Sequence, residues 1–571
     1  MRIATPPARA HLLALIVLAL VSADLRGVSF WDDLPDNELI DRLVAEMTPE
    51  ELVAQTLLVA WEGEPPSPAV MEWIDSTTLG GVKVFGWNGV NLPTLVRSIS
   101  TMQRRAQQHR LQIPLFTATD QEGGWVRHVK GTGELTTSVT PGNMAIGASG
   151  LPSDAYWSGY YIGMELRALG INMNFAPTVD VYINPEAHVI GPRAFSSDPV
   201  ASGILGVSFF HGLEEARVMA TAKHFPGHGN ADGDSHGVLP EISDTIEELR
   251  ARDLVPFRFL IQEGVPAVLS GHLAFPNITN SRIPASLSHY FKQELLREEL
   301  GFEGIVITDD LYMQGAWEYD RSWGIEQIIE AALRAGSDII LLSRTPARSG
   351  SVMRHLMEVY QEDGAFREQV ELAVRNILRV KLDYLKADDR VPLEPDVASV
   401  DAFVSDDSAD LFFRDQAARG TTVVAGRDIP FTPDADERVL VVSRYRDVLT
   451  VAREFYPTAD TLQLRGTGFY TASSGDRDAV LSALPRYDTV IFALSDPNTL
   501  QILRDAEAYA DRITVLSLLT PIYLYDVPWV DSAVAVYGSA DDSIRAGFSA
   551  LSGSITAGGR LPVFLDTQDD R

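Results

Sequence analysis

The chain has 571 residues, 45% of them apolar and 22% charged, which describes globular protein of more than one domain and excludes a disordered or fibrous chain. Its 47 Lys and Arg against 78 Asp and Glu leave a net charge of -31, which argues against a nucleic-acid partner. There is no cysteine, so disulfides, thiolate nucleophiles, iron–sulfur clusters and Cys-based zinc sites are all excluded.

Residues 1–23 read as a signal peptide. Arg2 and Arg9 precede an apolar run over 12–21, and Val21-Ser22-Ala23 offers a small-residue exit. The run is too short to span a bilayer, and no second long apolar run follows. The expectation is an exported protein, periplasmic or extracellular, with no stable transmembrane segment after cleavage.

Thr48-Pro49-Glu50-Glu51 opens the first strong helix signal, with Thr48 as cap and Glu51 placed to close a capping box. Apolar, strand-like runs then recur with helical stretches between them. They lie at 81–85, at 115–119 ending at Asp120, at 171–179 ending at Asp180, and at 219–222 ending at Lys223 and His224. Further runs lie at 267–269 leading to His272, at 305–308 ending at Asp309, and at 338–342, with helices predicted over 283–300 and 325–335. Alternating strands and helices make parallel βα units, and about eight of them over roughly 350 residues fit a (β/α)8 TIM-type barrel, assigned to 30–388. The polar residues gather at the C-terminal strand ends, where barrel enzymes place their sites.

A last barrel helix is predicted over 366–385, followed by an acidic linker over 389–415. Residues 416–571 then read as a smaller parallel α/β sandwich. Its strands fall at 421–424, 438–443, 489–494, 513–518 and 533–537, with helices at 445–455 and 541–551. Neither a Gly-x-Gly-x-x-Gly nor a P-loop occurs in it, so no nucleotide is assigned.

The densest polar segment is 223–240, with His224, His228, His236, Asp232, Asp234, four glycines and Pro226. Its Gly and Pro content predicts a loop, and loops on a rigid scaffold carry function. Three readings stand. His224, His228, His236 and Asp234 supply zinc-type ligands, but Pro226-Gly227 break the helix that an i,i+4 His pair needs. The polar groups can instead serve only to tie the loop down. In the third reading Asp234 pairs with His236, raises its pKa and makes it a proton donor. Asp309, at the rigid end of a strand, suits a carboxylate nucleophile, and Asp310 should point elsewhere by strand alternation; a helix cap or salt bridge is the plainer reading of a lone Asp there. Nucleophile and donor together are the machinery of a retaining glycosidase.

These motifs resemble glycoside hydrolase family 3, most closely its β-N-acetylhexosaminidase branch. The resemblance rests on Lys223-His-Phe-Pro-Gly-His-Gly with Asp234-Ser-His, and on Gly301-Phe-Glu-Gly-Ile-Val-Ile-Thr-Asp-Asp-Leu-Tyr-Met313. Asp120-Gln-Glu-Gly-Gly124, Val189-Ile-Gly-Pro-Arg193, Pro284-Ala-Ser-Leu-Ser288 and Gly558-Gly-Arg-Leu-Pro-Val563 are similar to further family blocks, so the likeness covers nearly all of the mature chain. It implies Asp309 as nucleophile, His236 as acid/base and Asp234 as its partner. It implies sugar contacts from Asp120, Arg193, Lys223 and His224, with His228 and Arg127 as weaker candidates. No cofactor and no metal are implied.

One block departs from the family. Arg-Val-x-Arg is usual after Glu-Gly-Gly, whereas this chain reads Trp125-Val126-Arg127-His128, so both usual arginines are replaced. His128 can fill the second slot, and Trp125 can offer an aromatic face to a sugar or simply pack. The reading is an exo-β-N-acetylglucosaminidase acting with retention on N-acetylglucosamine-terminated muropeptides or chitooligosaccharides. The rivals are a β-glucosidase or β-xylosidase, a phosphorylase, and a non-catalytic sugar-binding protein on the same fold.

Overall fold

A computed structural model describes residues 27–563 other than 134, 405 and 467–473. The signal-peptide reading of 1–23 lies outside the described residues. Thr48 caps the helix Pro49–Gln55 through a complete capping box: its hydroxyl accepts from the Glu51 N–H, and the Glu51 carboxylate accepts from the Thr48 N–H. The same carboxylate also takes Arg110 Nη2 at 2.5 Å, which fastens this helix to the turn that follows the helix Leu92–Gln108.

Eight parallel strands form the first domain. They are β1 Leu57–Ala60, β2 Gly81–Val84, β3 Phe116–Thr119, β4 Met173–Asn174, β5 Met219–Phe225, β6 Ala267–Ser270, β7 Ile305–Thr308 and β8 Ile340–Leu342. They lie in the order β7-β6-β5-β4-β3-β2-β1-β8. A parallel bridge from Ile307 to Ile339 brings β7 and β8 together and closes the barrel. Every strand residue is buried, as expected where helices cover the outside and side chains fill the inside. Lys83 and Lys223 are the buried cations among them.

Three expectations need correction. The strand predicted over 171–179 pairs only at Met173–Asn174 and then by a single bridge from Thr178 to Lys223, because Pro177 brings no N–H to a ladder. The helix predicted from 283 begins later, as a 3-10 turn Ala285–Leu287 and then a π-type helix Tyr290–Glu299, since Pro284 starts a separate turn. The linker over 389–415 is not irregular throughout: the helix Asp407–Gly420 crosses its assigned end. Asp406 caps that helix through the Ser408 N–H, and Asp407 and Asp410 sit in its first turn, where the helix dipole favours acids. The acidic run was therefore a helix start.

The second domain is a six-stranded sheet of β9 Thr422–Gly426, β10 Val439–Ser443, β11 Asp460–Gln463, β12 Thr489–Leu494, β13 Ile513–Ser517 and β14 Ser532–Ala535. Their order is β9-β14-β13-β12-β10-β11. All neighbours are parallel except the edge strand β9, which runs antiparallel to β14, so the sheet is mixed at that edge.

The two domains share a core. Met144, Ala145, Tyr182, Ile190 and Ala194 of the barrel cluster with Val442, Phe492, Ala535 and Tyr537 of the sheet domain. Arg419 pairs with the buried Asp154 at 2.7 Å, and the Pro562 carbonyl accepts from Ser196 Oγ at 2.6 Å and the Ser197 N–H at 3.0 Å. An apolar interface tied by buried polar contacts holds the second domain in one position beside the barrel mouth.

Candidate active site

The C-terminal ends of the barrel strands surround a cavity of about 330 Å³. Its floor is a network of charges. Asp120, the first residue past β3, receives Lys223 Nζ at 2.5 Å and is also bonded by Lys83 from β2. Lys223 reaches Glu122 at 2.5 Å as well. Arg193 grips Glu122 in a fork, with Nε at 2.9 Å and Nη2 at 2.8 Å. Burial opposes ionisation of Asp120, yet Lys223 and Lys83 hold it well below the usual carboxylate range. Burial opposes Glu122 too, but Arg193 and Lys223 bring it to about 2. Both carboxylates are therefore ionised at neutral pH, and Asp120 is the more open of the two, with 19% of its side chain accessible.

Above this floor Asp180 organises the histidine loop. Its Oδ2 lies 2.8 Å from His224 Nδ1, and its Oδ1 accepts from the His224 N–H at 3.2 Å and the His228 N–H at 2.7 Å. Nδ1–H of His224 donates to that carboxylate, which leaves Nε2 to accept from Arg193 Nη2 at 3.2 Å. Burial pushes the His228 imidazole down to about 4, so it stays neutral and sits 3.3 Å from Ser235 Oγ.

Asp309 follows β7, with its N–H on the Ser270 carbonyl at 2.9 Å and its own Oδ1 accepting from the Asp310 N–H at 2.8 Å. Burial opposes its charge, but His272, His224 and that N–H outweigh it and lower its pKa. Asp310 borders the cavity, yet its carboxylate turns to the backbone N–H groups of Tyr312 and Ser343. His236 stands at the open side. Its Nδ1 lies 2.6 Å from Asp234 Oδ1, and this hydrogen bond, more than any other contact, raises the imidazole's pKa. The Gln314 and Gly315 N–H groups donate to the carbonyls of His236 and Ser235, which ties this loop to the chain just past Asp309.

Asp309, His236, Asp120, Arg193, Lys223, His224 and His228 thus all face one cavity, with Asp234 behind His236. Lys223, His224 and Phe225 belong to β5, and the loop begins only at Pro226. Among the described residues, no three His, Asp or Glu side chains are grouped as metal ligands.

Arg127 is the exception. It does not line the cavity; it pairs across a hairpin with Gln121 and feels the charge of Glu165. Alternation along the short strand Val126–Arg127 sends it outward, and its neighbour His128 takes the inner place, 3.7 Å from Asp120 Oδ2. Burial pushes His128 down to about 4, so it contributes a neutral imidazole where an arginine would have added a charge. Trp125 also reaches the cavity wall.

Sequence reasoning passed over Lys83, Glu122, Asp180 and His272. A lysine inside the apolar strand Gly81–Val84 was the signal for the first, and an acid inside the Asp120–Gly124 block for the second. Asp180 and His272 each stood at a strand end.

A half-buried carboxylate of lowered pKa in one cavity with an imidazole of raised pKa can perform paired nucleophilic and acid–base chemistry on a polyhydroxylated ring. The family model described as glycosyl hydrolase family 3 N terminal domain matches residues 48–380. The chain belongs to glycosyl hydrolase family 3. Among its relatives is beta-hexosaminidase A of Pseudoalteromonas piscicida, 35% identical over 334 residues, which cover 55% of this chain and 55% of that protein. The beta-hexosaminidase of Neisseria meningitidis serogroup C is 36% identical over 272 residues, 47% of this chain and 72% of its own length. The match to the first relative thus spans only about half of its length. A solved family 3 beta-N-acetylglucosaminidase from Paenibacillus sp. superposes with a TM-score of 0.79 at 27% identity, covering 91% of this chain and 99% of that one. The likeness to that structure extends through both domains.

Proposed function

We propose that this family 3 chain is a retaining exo-β-N-acetylglucosaminidase that removes a terminal, non-reducing N-acetylglucosamine from an oligosaccharide. The observation that carries this is the pairing, in one cavity, of ionised Asp309 with the Asp234-bound imidazole of His236. The names of the two bacterial relatives and of the Paenibacillus structure support the sugar assignment.

In the first step an Asp309 carboxylate oxygen attacks C1 of the bound sugar. The C1–O bond to the leaving group breaks, and the departing oxygen takes the Nε2 proton of His236. Asp234, on Nδ1, stabilises the imidazolium before transfer and fixes which nitrogen faces the sugar. In the second step neutral His236 takes a proton from water, the water oxygen bonds to C1, and the C1–Asp309 bond breaks. Two inversions give net retention. Asp120, held by two ammonium groups, is the acceptor for the sugar's hydroxyl protons.

Incubation with an aryl β-N-acetylglucosaminide and with chitobiose, followed by NMR of the first-formed anomer, tests the reading. Release of β-N-acetylglucosamine by the wild type and loss of turnover in Asp309→Ala, with the melting transition kept, is the expected result. Wild-type-like turnover in Asp309→Ala would sink the nucleophile assignment. We further infer export through residues 1–23; activity confined to the cytoplasmic fraction of cells expressing the full chain would overturn that.

A further inference from the structure

Behind the nucleophile lies a run of polar groups that the mechanism above does not use. His272, two residues past β6, is fully buried, as are Ser286, Lys292 and Ser337. None of the four borders the catalytic cavity. Lys292 Nζ donates to the Ser286 carbonyl, to Ser337 Oγ at 2.6 Å and to the Ala332 carbonyl at 3.2 Å. Ser286 Oγ lies 2.7 Å from His272 Nδ1, and His272 Nε2 lies 3.0 Å from the Asp310 carbonyl oxygen. A carbonyl can only accept, so Nε2 carries the proton, and Nδ1 accepts from the Ser286 hydroxyl. Burial is the largest influence on the ring and lowers its pKa, in keeping with this one-proton form. Polar groups this deep are costly unless every bond among them is made.

The run ends on the turn that carries Asp309. Asp310 is held at its carbonyl by His272 and at its carboxylate by the Tyr312 and Ser343 N–H groups. With both ends fixed, its own N–H points at Asp309 Oδ1, 2.8 Å away. The backbone around His272 is tied down too. The Ser286 N–H donates to the Gly271 carbonyl at 3.1 Å, and the Ala285 N–H to that of Leu273 at 2.8 Å. The acid/base loop meets the same residue. A Cβ on Gly315 would lie 2.9 Å from His272 Cβ, 3.0 Å from the Ser235 carbonyl oxygen and 3.1 Å from that of Val238. Glycine at 315 therefore lets the chain past Asp309, the His272 side chain and the loop of His236 close on one point, where the Gly315 N–H donates to the Ser235 carbonyl at 3.0 Å.

We propose that His272, oriented by Ser286, is a positioning residue: it locks the Asp309–Asp310 turn so that the nucleophile's carboxylate keeps one orientation toward C1 and one place relative to His236. The inference rests on the assignment of Asp309 and His236 in the retaining reading above. Attack on C1 depends on alignment, and a displacement of about 1 Å in the attacking group costs about hundredfold in rate. Sugar binding draws instead on the charged floor of Asp120, Glu122, Arg193 and Lys223, whose bonds are made without His272 or Ser286. Loss of positioning therefore falls on kcat and spares KM.

The test is steady-state kinetics of His272→Leu, His272→Gln and Ser286→Ala on nitrophenyl and dinitrophenyl N-acetylglucosaminides, with the melting transition of each variant. Leu keeps bulk but gives up both hydrogen bonds, so kcat should fall about hundredfold with KM within about twofold of the wild type. The Gln amide can donate to the Asp310 carbonyl and accept from Ser286, so kcat should return to within about tenfold of the wild type. Ser286→Ala releases the tautomer and should lower kcat about tenfold. His272→Leu should slow both substrates alike, since both need the nucleophile, whereas His236→Ala should spare the better dinitrophenyl leaving group. Wild-type kcat in His272→Leu and Ser286→Ala, or a raised KM at unchanged kcat, overturns the proposal. A Gln variant no better than Leu, or losses that only track the unfolded fraction, overturns it too, by reducing the contact to stability. Wild-type protein inactive on both substrates, or Asp309→Ala fully active, overturns the underlying reading instead.

Discussion

Asp180 and His224 form a buried pair in which carboxylate Oδ2 lies 2.8 Å from imidazole Nδ1, while the other oxygen holds two backbone N–H groups of the same loop. One side chain thereby sets both the path of the loop and the tautomer of a cavity-lining ring. Asp180→Asn replaces an acceptor with an amide donor facing Nδ1. The ring must then carry its proton on Nε2, against the Arg193 guanidinium. A rise in KM of about tenfold, with a smaller change in kcat, is the expected outcome of steady-state kinetics, from about 1.4 kcal/mol of lost positioning. An unchanged KM would mean that the pair does not act on the sugar site.

The raised pKa of His236 has a definite consequence for pH dependence. In the proposed mechanism His236 must be protonated to donate, so turnover is expected to fall as pH rises through the imidazole's pKa, which Asp234 holds above its ordinary 6.5. Asp234→Asn removes that carboxylate, so the alkaline limb should move to lower pH on a substrate with a poor leaving group. With Asp309 as the proposed nucleophile, the acid limb is expected below the ordinary 3.8, since neutralising that carboxylate as pH falls removes the attacking charge. An alkaline limb that stays in place in Asp234→Asn would separate His236 from the proton transfer.

Glu122 should matter for stability and binding together. Glu122→Gln leaves Arg193 and Lys223 buried with one carboxylate fewer, and breaking a buried pair in this way costs about 3 kcal/mol. Glu122 is ionised in the fold down to about pH 2, below its ordinary 4.5. Its contribution is therefore present above pH 4.5 and lost as pH falls toward 2. Denaturant unfolding at pH 7 and pH 3 should show the wild-type advantage over Glu122→Gln shrinking at the lower pH.

His128 lines the cavity beside Asp120, whereas Arg127, a weaker candidate for sugar contact by resemblance, does not. His128→Ala should raise KM about fivefold, by removing a neutral donor or acceptor beside Asp120 worth about 1 kcal/mol. Arg127→Ala should change KM by less than about twofold, as for a residue outside the cavity. A larger effect from Arg127 than from His128 in kinetics on the aryl substrate would reverse the placement.

Legibility in the sequence followed from how local each feature is. Thr48 and Glu51 lie three residues apart, and their reciprocal capping was readable because a helix start is a local event. Asp309 was readable because an apolar strand run ends on it. Asp180 was visible as a strand end but not as the anchor of His224, which is 44 residues away along the chain. Lys83 read only as a strand residue and Lys223 only as a sugar contact implied by resemblance, and their meeting on Asp120 depends on β2, β3 and, one strand beyond β4, β5 curving round one mouth. The acidic run near 407 misled because the same composition serves a linker and a helix start, and only packing of Ala409, Phe413 and Ala417 decides between them.

The βα alternation, the barrel followed by a sheet domain, and the polar residues at the strand ends were all legible locally, because strand and helix periods and strand-end polar groups are written in neighbouring residues. Which charges share a site emerges from the folded arrangement alone. It placed His128 rather than Arg127 beside Asp120, gave Glu122 and Asp180 their partners, and set the second domain against the barrel to form a seam. The physical reason is that pairing of buried charges and the docking of one domain on another are decided by contacts across tens to hundreds of residues of chain, and no local pattern encodes those distances.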